Sequence, residues 1–234
     1  MKLNQNIRNL FVVIVSIIFV EKSVAQVNSS NRPSHKEYAK MVRYLVHKSN
    51  WTSMGTISTL STIQGFPMVN VKSIADSALN AKSSGHIYFL LTDLDFTGKD
   101  LKQNNSLTAM FTEDQDLSCT NSGRDTMEPT CARAIITGHI VKLNDSSVEY
   151  SQADEWFTDR HPASIEWRKE HKFYFCKLEI EVIVLIDFYG GAKYVTVDDY
   201  YNANYDAIDA ANEKTVERFE AVKTPSVITP KHNN

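Results

Sequence analysis

The stretch from Lys172 to Asp187 constrains the fold of this chain more than any other. Leu178, Ile180 and Val182 alternate with Glu179 and Glu181, the period of a strand with one wet face. Ile183 to Ile186 then run wholly apolar, as a strand does on passing into a closed core. One long strand or two joined strands are predicted here. Shorter runs of strand length precede it, at Met54–Leu60, Met68–Ile74, His86–Thr92, Ser106–Thr112 and Cys131–Leu143, with turn residues between them such as Gly65-Phe66-Pro67 and Gly85. Gly190-Gly191 predicts the turn after the long strand. Near the start, Tyr38, Met41, Val42, Leu45 and Val46 make one apolar stripe, which predicts a helix over Ser34–His47, ending near Asn50, with Ser34 as cap and Glu37 three residues on. Short helices are expected around Trp156, Phe157 and Trp167, flanking His161-Pro162, with a last helical turn at Asp198–Asn202. Many short strands and few helices predict an α+β, mainly β domain, a barrel among the candidates.

The compartment is written in the first residues. Leu10 to Val20 is an apolar run behind Lys2 and Arg8, and it exits into the small residues Ser23-Val24-Ala25. That order is a secretory signal, and the run is shorter than the ~20 residues a bilayer span needs. Cleavage is expected near Ala25, leaving a short lead over residues 26–33 and a domain over 34–205. Residues 206–234 form a tail with a Pro-containing, unpatterned end. No later stretch has membrane-spanning length, so the mature protein is expected to be lumenal or extracellular.

Charge narrows the partners. The leader carries Lys2, Arg8 and Lys22 against Glu21, a net of +2, so the formal −3 of the chain becomes −5 without it. A mildly acidic chain with no basic cluster is a poor ligand for nucleic acid, whose phosphates need concentrated Lys and Arg. Three cysteines in an oxidising lumen allow one disulfide and one free thiol. Cys119 and Cys131 bracket a polar loop, and closing it is worth about 3 kcal/mol on the chain-entropy account. Cys176 lies in an apolar run with only Lys177 and His171 near it in sequence. It is expected to pack as a small hydrophobe, since a nucleophilic thiol needs an accessible, electropositive setting.

Local motifs announce no chemistry. Asp93-Leu94-Asp95-Phe96-Thr97-Gly98 opens like a calcium loop, but the twelfth position is Asn104, which cannot supply the bidentate carboxylate, and an acidic turn is the reading retained. The histidines show no metal-binding spacing, and no metal is expected. There is no nucleophile elbow, phosphate-binding glycine loop or dinucleotide fingerprint. Sequons for N-glycosylation occur at Asn28, Asn50, Asn104 and Asn144, all at expected element ends or loops, with Asn50 and Asn144 best placed.

Several blocks, taken in order, are less generic. They are Arg43-Tyr-Leu-Val-His47 with Trp51 and Gly55-Thr-Ile-Ser-Thr59; Gly65-Phe-Pro67; Cys131-Ala-Arg133 with Thr137-Gly138; Arg160-His-Pro162 with Trp167; and Phe175-Cys-Lys-Leu178, Asp187-Phe-Tyr-Gly-Gly191 and Asp199-Tyr-Tyr201. Together they resemble the CREG family of secreted glycoproteins, from about Ser34 to Asn204. The loop Asp125–Pro129 departs from the family's more proline-rich version, and the tail beyond Asp206 has no counterpart.

The resemblance implies a split β-barrel of the FMN-binding, pyridoxamine-phosphate-oxidase type, assembled as a homodimer, with the flavin pocket blocked and no cofactor held. It also implies a non-enzymatic glycoprotein of the secretory and endosome–lysosome route, recognised by a receptor of the mannose-6-phosphate-receptor type and linked to growth and differentiation control. The rival expectation is an FMN-dependent oxidoreductase that has kept the ancestral pocket. In that case the protein supplies the cleft and the cofactor the redox chemistry.

Overall fold

A computed structural model describes residues 32–205. The leader, the Asn28 sequon and the tail over 206–234 lie outside the described residues. Helix α1 (Tyr38–Lys48) leads into strands β1 (Trp51–Ile57), β2 (Pro67–Ala75) and β3 (Tyr88–Leu91), then helix α2 (Phe96–Gln103) and strand β4 (Ser106–Thr112). A 3-10 turn (Glu113–Asp116) and the short α3 (Ser118–Asn121) precede β5 (Arg133–Lys142). The helices α4 (Val148–Arg160) and α5 (Ser164–Glu170), the long β6 (Tyr174–Ile186), β7 (Lys193–Val195) and α6 (Val197–Asn202) complete the order.

The strands form one antiparallel sheet in the order β3-β2-β1-β4-β5-β6-β7, and pairing of β3 with β6 closes six of them into a barrel. β6 makes this possible by its length. One edge lies along β5, while the other serves β3 through Tyr174–Lys177 and β7 through Ile183–Leu185. The barrel is split along that second edge. Its interior is filled by alternate residues of every strand, including Met54, Phe89, Leu107, Phe111, Ile136 and Leu178, and α1 packs onto this core through Met41, Val42, Leu45 and Val46. A second apolar cluster, centred on Phe157, Phe175 and Tyr88, seats α4 against the outside.

Two expectations are corrected. Ser34 does not cap a helix: α1 begins four residues later, Glu37 stands at its N-cap, and the Ser34 N–H donates back to Glu37 Oε2 at 3.0 Å. The apolar end of β6 is not a strand sinking into a closed core. The register shifts between Thr137 and Gly138, which pair with Val182 and Ile180, so Glu181 is an extra residue. This bulge reverses the alternation, leaving Val182 exposed, Ile183 and Leu185 inward, and Val184 and Ile186 half-buried. Gly138 permits it: a Cβ there would stand 2.0 Å from the Glu179 carbonyl oxygen.

Candidate functional site

The outer face of the sheet is the most distinctive surface. Register places Val69, Gly55, Thr108, Thr137 and Val182 in one outward row across five strands. The next row reads Val71, Ser53, Met110, Ile135, Val184 and Tyr194. Neither row holds a charge, and its two facing hydroxyls, Thr108 Oγ1 and Thr137 Oγ1, satisfy each other at 3.0 Å. Val69 is 66% exposed, Val71 59% and Tyr194 79%. Charges appear only at the borders, with Arg133 beyond one row and the His139–Glu181 pair (3.0 Å) beyond the other.

The β1–β2 hairpin extends this surface. From Ser49 to Val71 the chain carries no charged residue, and its tip exposes Ile57, Leu60, Ile63 and Phe66. The tip is nevertheless fixed. The buried Asp100 of α2 accepts hydrogen bonds from the Thr59 N–H and hydroxyl, both at 2.7 Å, and from the Thr56 hydroxyl at 2.9 Å. An exposed apolar surface of this extent, held rigid, marks a place where something docks. The charge-free stretch was the signal in the sequence that would have found it.

Behind α1 lies a buried polar hub centred on Asp76. Arg160 Nη2 donates to its Oδ1 at 2.7 Å, His47 Nδ1 lies 3.0 Å from the same oxygen, and the Ser83 hydroxyl donates to Oδ2 at 2.6 Å. Arg160 also donates to the carbonyls of Ser77, His47 and Ser49 at 2.6, 2.9 and 3.1 Å. Arg43 donates to the hydroxyl and carbonyl of Ser83 and to the Tyr200 carbonyl, with its guanidinium 5.3 Å from the Tyr200 ring centre. Burial alone would raise the Asp76 pKa, but His47, Arg160 and Ser83 outweigh it and hold the carboxyl below its usual range. Each guanidinium nitrogen of both arginines thus donates to at least one of the protein's own oxygens. The hub ties α1, the segment after β2, the end of α4 and α6 into one unit.

The other expected residues are dispersed. The Sγ atoms of Cys119 and Cys131 are joined at 2.03 Å. Cys176 is buried in the barrel, and burial pushes its thiol up to about 12, so it stays neutral. Asp95 caps α2 through the Thr97 N–H and pairs with Lys72, while Asp93 pairs with Lys102 at 2.9 Å and accepts the Tyr174 hydroxyl at 2.8 Å. The acidic turn is therefore occupied by caps and ion pairs. Among the described residues one trio, Glu113, Cys119 and Cys131, is close enough to share a metal, and its two sulfurs are bonded to each other. Asn50, Asn104 and Asn144 are exposed. Asn104 and Asn144 lie at one end of the barrel, before Ser106 and after Lys142, whereas Asn50 precedes Trp51 at the opposite end.

The family model described as "CREG, beta-barrel" matches residues 33–202. This chain belongs to the CREG family. It is 34% identical over 171 residues to Protein CREG1 of Gallus gallus, covering 73% of this chain and 88% of that one. Against Protein CREG1 of Homo sapiens it is 32% identical over 170 residues, 73% and 76% of the two chains. Among solved structures, a heme binding protein from Mycobacterium smegmatis superposes with a TM-score of 0.54 at 16% identity, over 73% of this chain and 61% of that one. Atu2129 from Agrobacterium tumefaciens gives the same score and identity over 84% and 75%. At such identities these structures establish the split-barrel fold alone. Three of the family blocks, those holding Arg43 and His47, Arg160, and Tyr200, meet at the hub. Its centre, Asp76, and Ser83 lie outside every block.

Proposed function

We propose that this CREG protein works without chemistry of its own, as a secreted or endolysosomal glycoprotein whose barrel is a rigid platform for recognition. It acts as a homodimer joined through the uncharged sheet face and the β1–β2 hairpin, and is recognised by a glycan-dependent receptor through sugars on Asn50, Asn104 and Asn144. The observation that carries the reading is the pair of outward rows running from Val69 and Val71 to Val182 and Tyr194. A surface without charge matches itself under a two-fold axis, because no like charges are brought together. The sequons stand off the ends of the strands, where sugars leave that face clear. No helix among the described residues is long and apolar enough to cross a membrane.

No bound flavin is part of this reading. Each guanidinium nitrogen of Arg43 and Arg160 already donates to the protein's own oxygens, which disfavours a phosphate there. Analytical ultracentrifugation tests the assembly. The wild-type chain should sediment as a dimer at micromolar concentration, and Val71→Asp, which places a charge on an exposed position of the face, should shift it to monomer with unchanged circular dichroism. A wild-type monomer, or a dimer indifferent to Val71→Asp and Met110→Lys, would overturn the dimer face.

A further inference from the structure

The barrel end that carries Asn104 and Asn144 also holds a cleft of about 300 Å³. It exists because the ends of β3, β5 and β6 and the helix α2 leave core side chains uncovered. Leu91, Leu101, Ile140 and Cys176 form its floor, and Tyr174 its wall. Its charged groups are Asp93, Lys102 and Lys142. Asp93 is neutralised by Lys102 and accepts the Tyr174 hydroxyl, which leaves Lys142 as the excess charge. The Lys142 ammonium sits 5.1 Å from the centre of the Tyr174 ring, and among the described residues no carboxylate pairs with it.

A second, outer lobe of about 580 Å³ shares Asp93, Lys142 and Tyr174 and adds Asp145, Glu170 and Lys172. With Asp93 already paired to Lys102, the acids Asp145 and Glu170 there balance Lys142 and Lys172, so that lobe adds no net charge. The excess positive charge of the apolar-floored inner cleft therefore rests on Lys142. The mouths of β-barrels are recurrent ligand positions, and a few placed polar groups over an apolar floor give a site its orientation.

We propose that the inner cleft binds a small organic anion with an apolar body, its acid group on Lys142 and its body against Leu91, Leu101 and Ile140. The site lies apart from the sheet face and does not depend on dimer formation. Neither sugars nor flavin are needed for it.

The glycosylated protein titrated with 1-anilinonaphthalene-8-sulfonate tests this. Emission should rise to saturation with one dye per chain and weaken as salt is added. Lys142→Glu, at an exposed position, should weaken binding by at least about ten-fold, or ~1.4 kcal/mol. Lys142→Arg should retain it, as should Lys99→Glu on the exposed side of α2, and thermal unfolding of each variant checks that the fold stands. Emission without saturation, or saturation indifferent to Lys142→Glu, would place the dye on the uncharged sheet face and overturn the proposal. Binding that emerges only after enzymatic removal of the sugars would mean that the protein's own glycan fills the cleft, and would overturn it equally.

Discussion

At Asp76 a single carboxylate joins three segments of the chain, its own, α1 through His47 and the end of α4 through Arg160. Its folded pKa is held below the value of about 4 that it has in an unfolded chain. The stabilisation is therefore complete above about pH 4 and is lost as pH falls through the lower folded value. The hub therefore stays intact at mildly acidic pH. Urea unfolding across pH 3 to 7 should show the wild-type midpoint steady down to about pH 4 and declining below it. Asp76→Asn should cost about 3–5 kcal/mol at pH 7, since it leaves Arg160 buried without its counter-charge, and should flatten the acid decline. The partners Arg43, His47, Arg160 and Tyr200 were legible as family blocks. Asp76 was not, because a buried ion pair spanning from residue 76 to residue 160 leaves no trace in local spacing.

At the level of elements, the sequence was most legible where alternation is regular and bounded by turns. β4 lies over Ser106–Thr112 as expected, and the turn at Gly190-Gly191 has both glycines in the left-handed region, φ 101° and 87°. Legibility failed at β6, where four apolar residues in a row concealed a bulge rather than a doubly buried strand. The bulge depends on the absence of a side chain at Gly138. Gly138→Ala should force β5 from β6 and cost at least about 1–3 kcal/mol, read as a lowered thermal midpoint, whereas Gly65→Ala, with open space around its Cβ, should feel only the strain of its φ of +83°. Helix α1 was misjudged at its start for a related reason. Ser34 and Glu37 have the spacing of a capping box, but only the carboxylate half of it forms, one turn ahead of the helix.

For the whole molecule, family and barrel could be read from the ordered blocks; of the uncharged sheet face only the hairpin half, the charge-free run from Ser49 to Val71, was legible, because the outward rows exist only once the strands are in register. The placement of the sequons gives a test that separates the two barrel ends. Asn104→Gln combined with Asn144→Gln removes both sequons from one end, and Asn50→Gln the sequon from the other. If receptor-dependent uptake by cells rests on the paired end, the double variant should lose most of it and the single variant should keep most. The flavin alternative has an equally direct measurement. Purified protein should be colourless and should leave the fluorescence of micromolar FMN unquenched, and a yellow protein would restore the oxidoreductase reading.

The hairpin from Ser49 to Val71 has one more consequence. Proteins commonly guard exposed apolar strands with lysine or glutamate so that newly made copies do not stick to the wrong neighbour. Here those guards are missing over the whole ribbon, and carbohydrate added at the proposed sequons at both ends of the barrel would be placed to take over their task. Chains made without sugar in a bacterial cytosol should consequently precipitate even though each can still complete its fold.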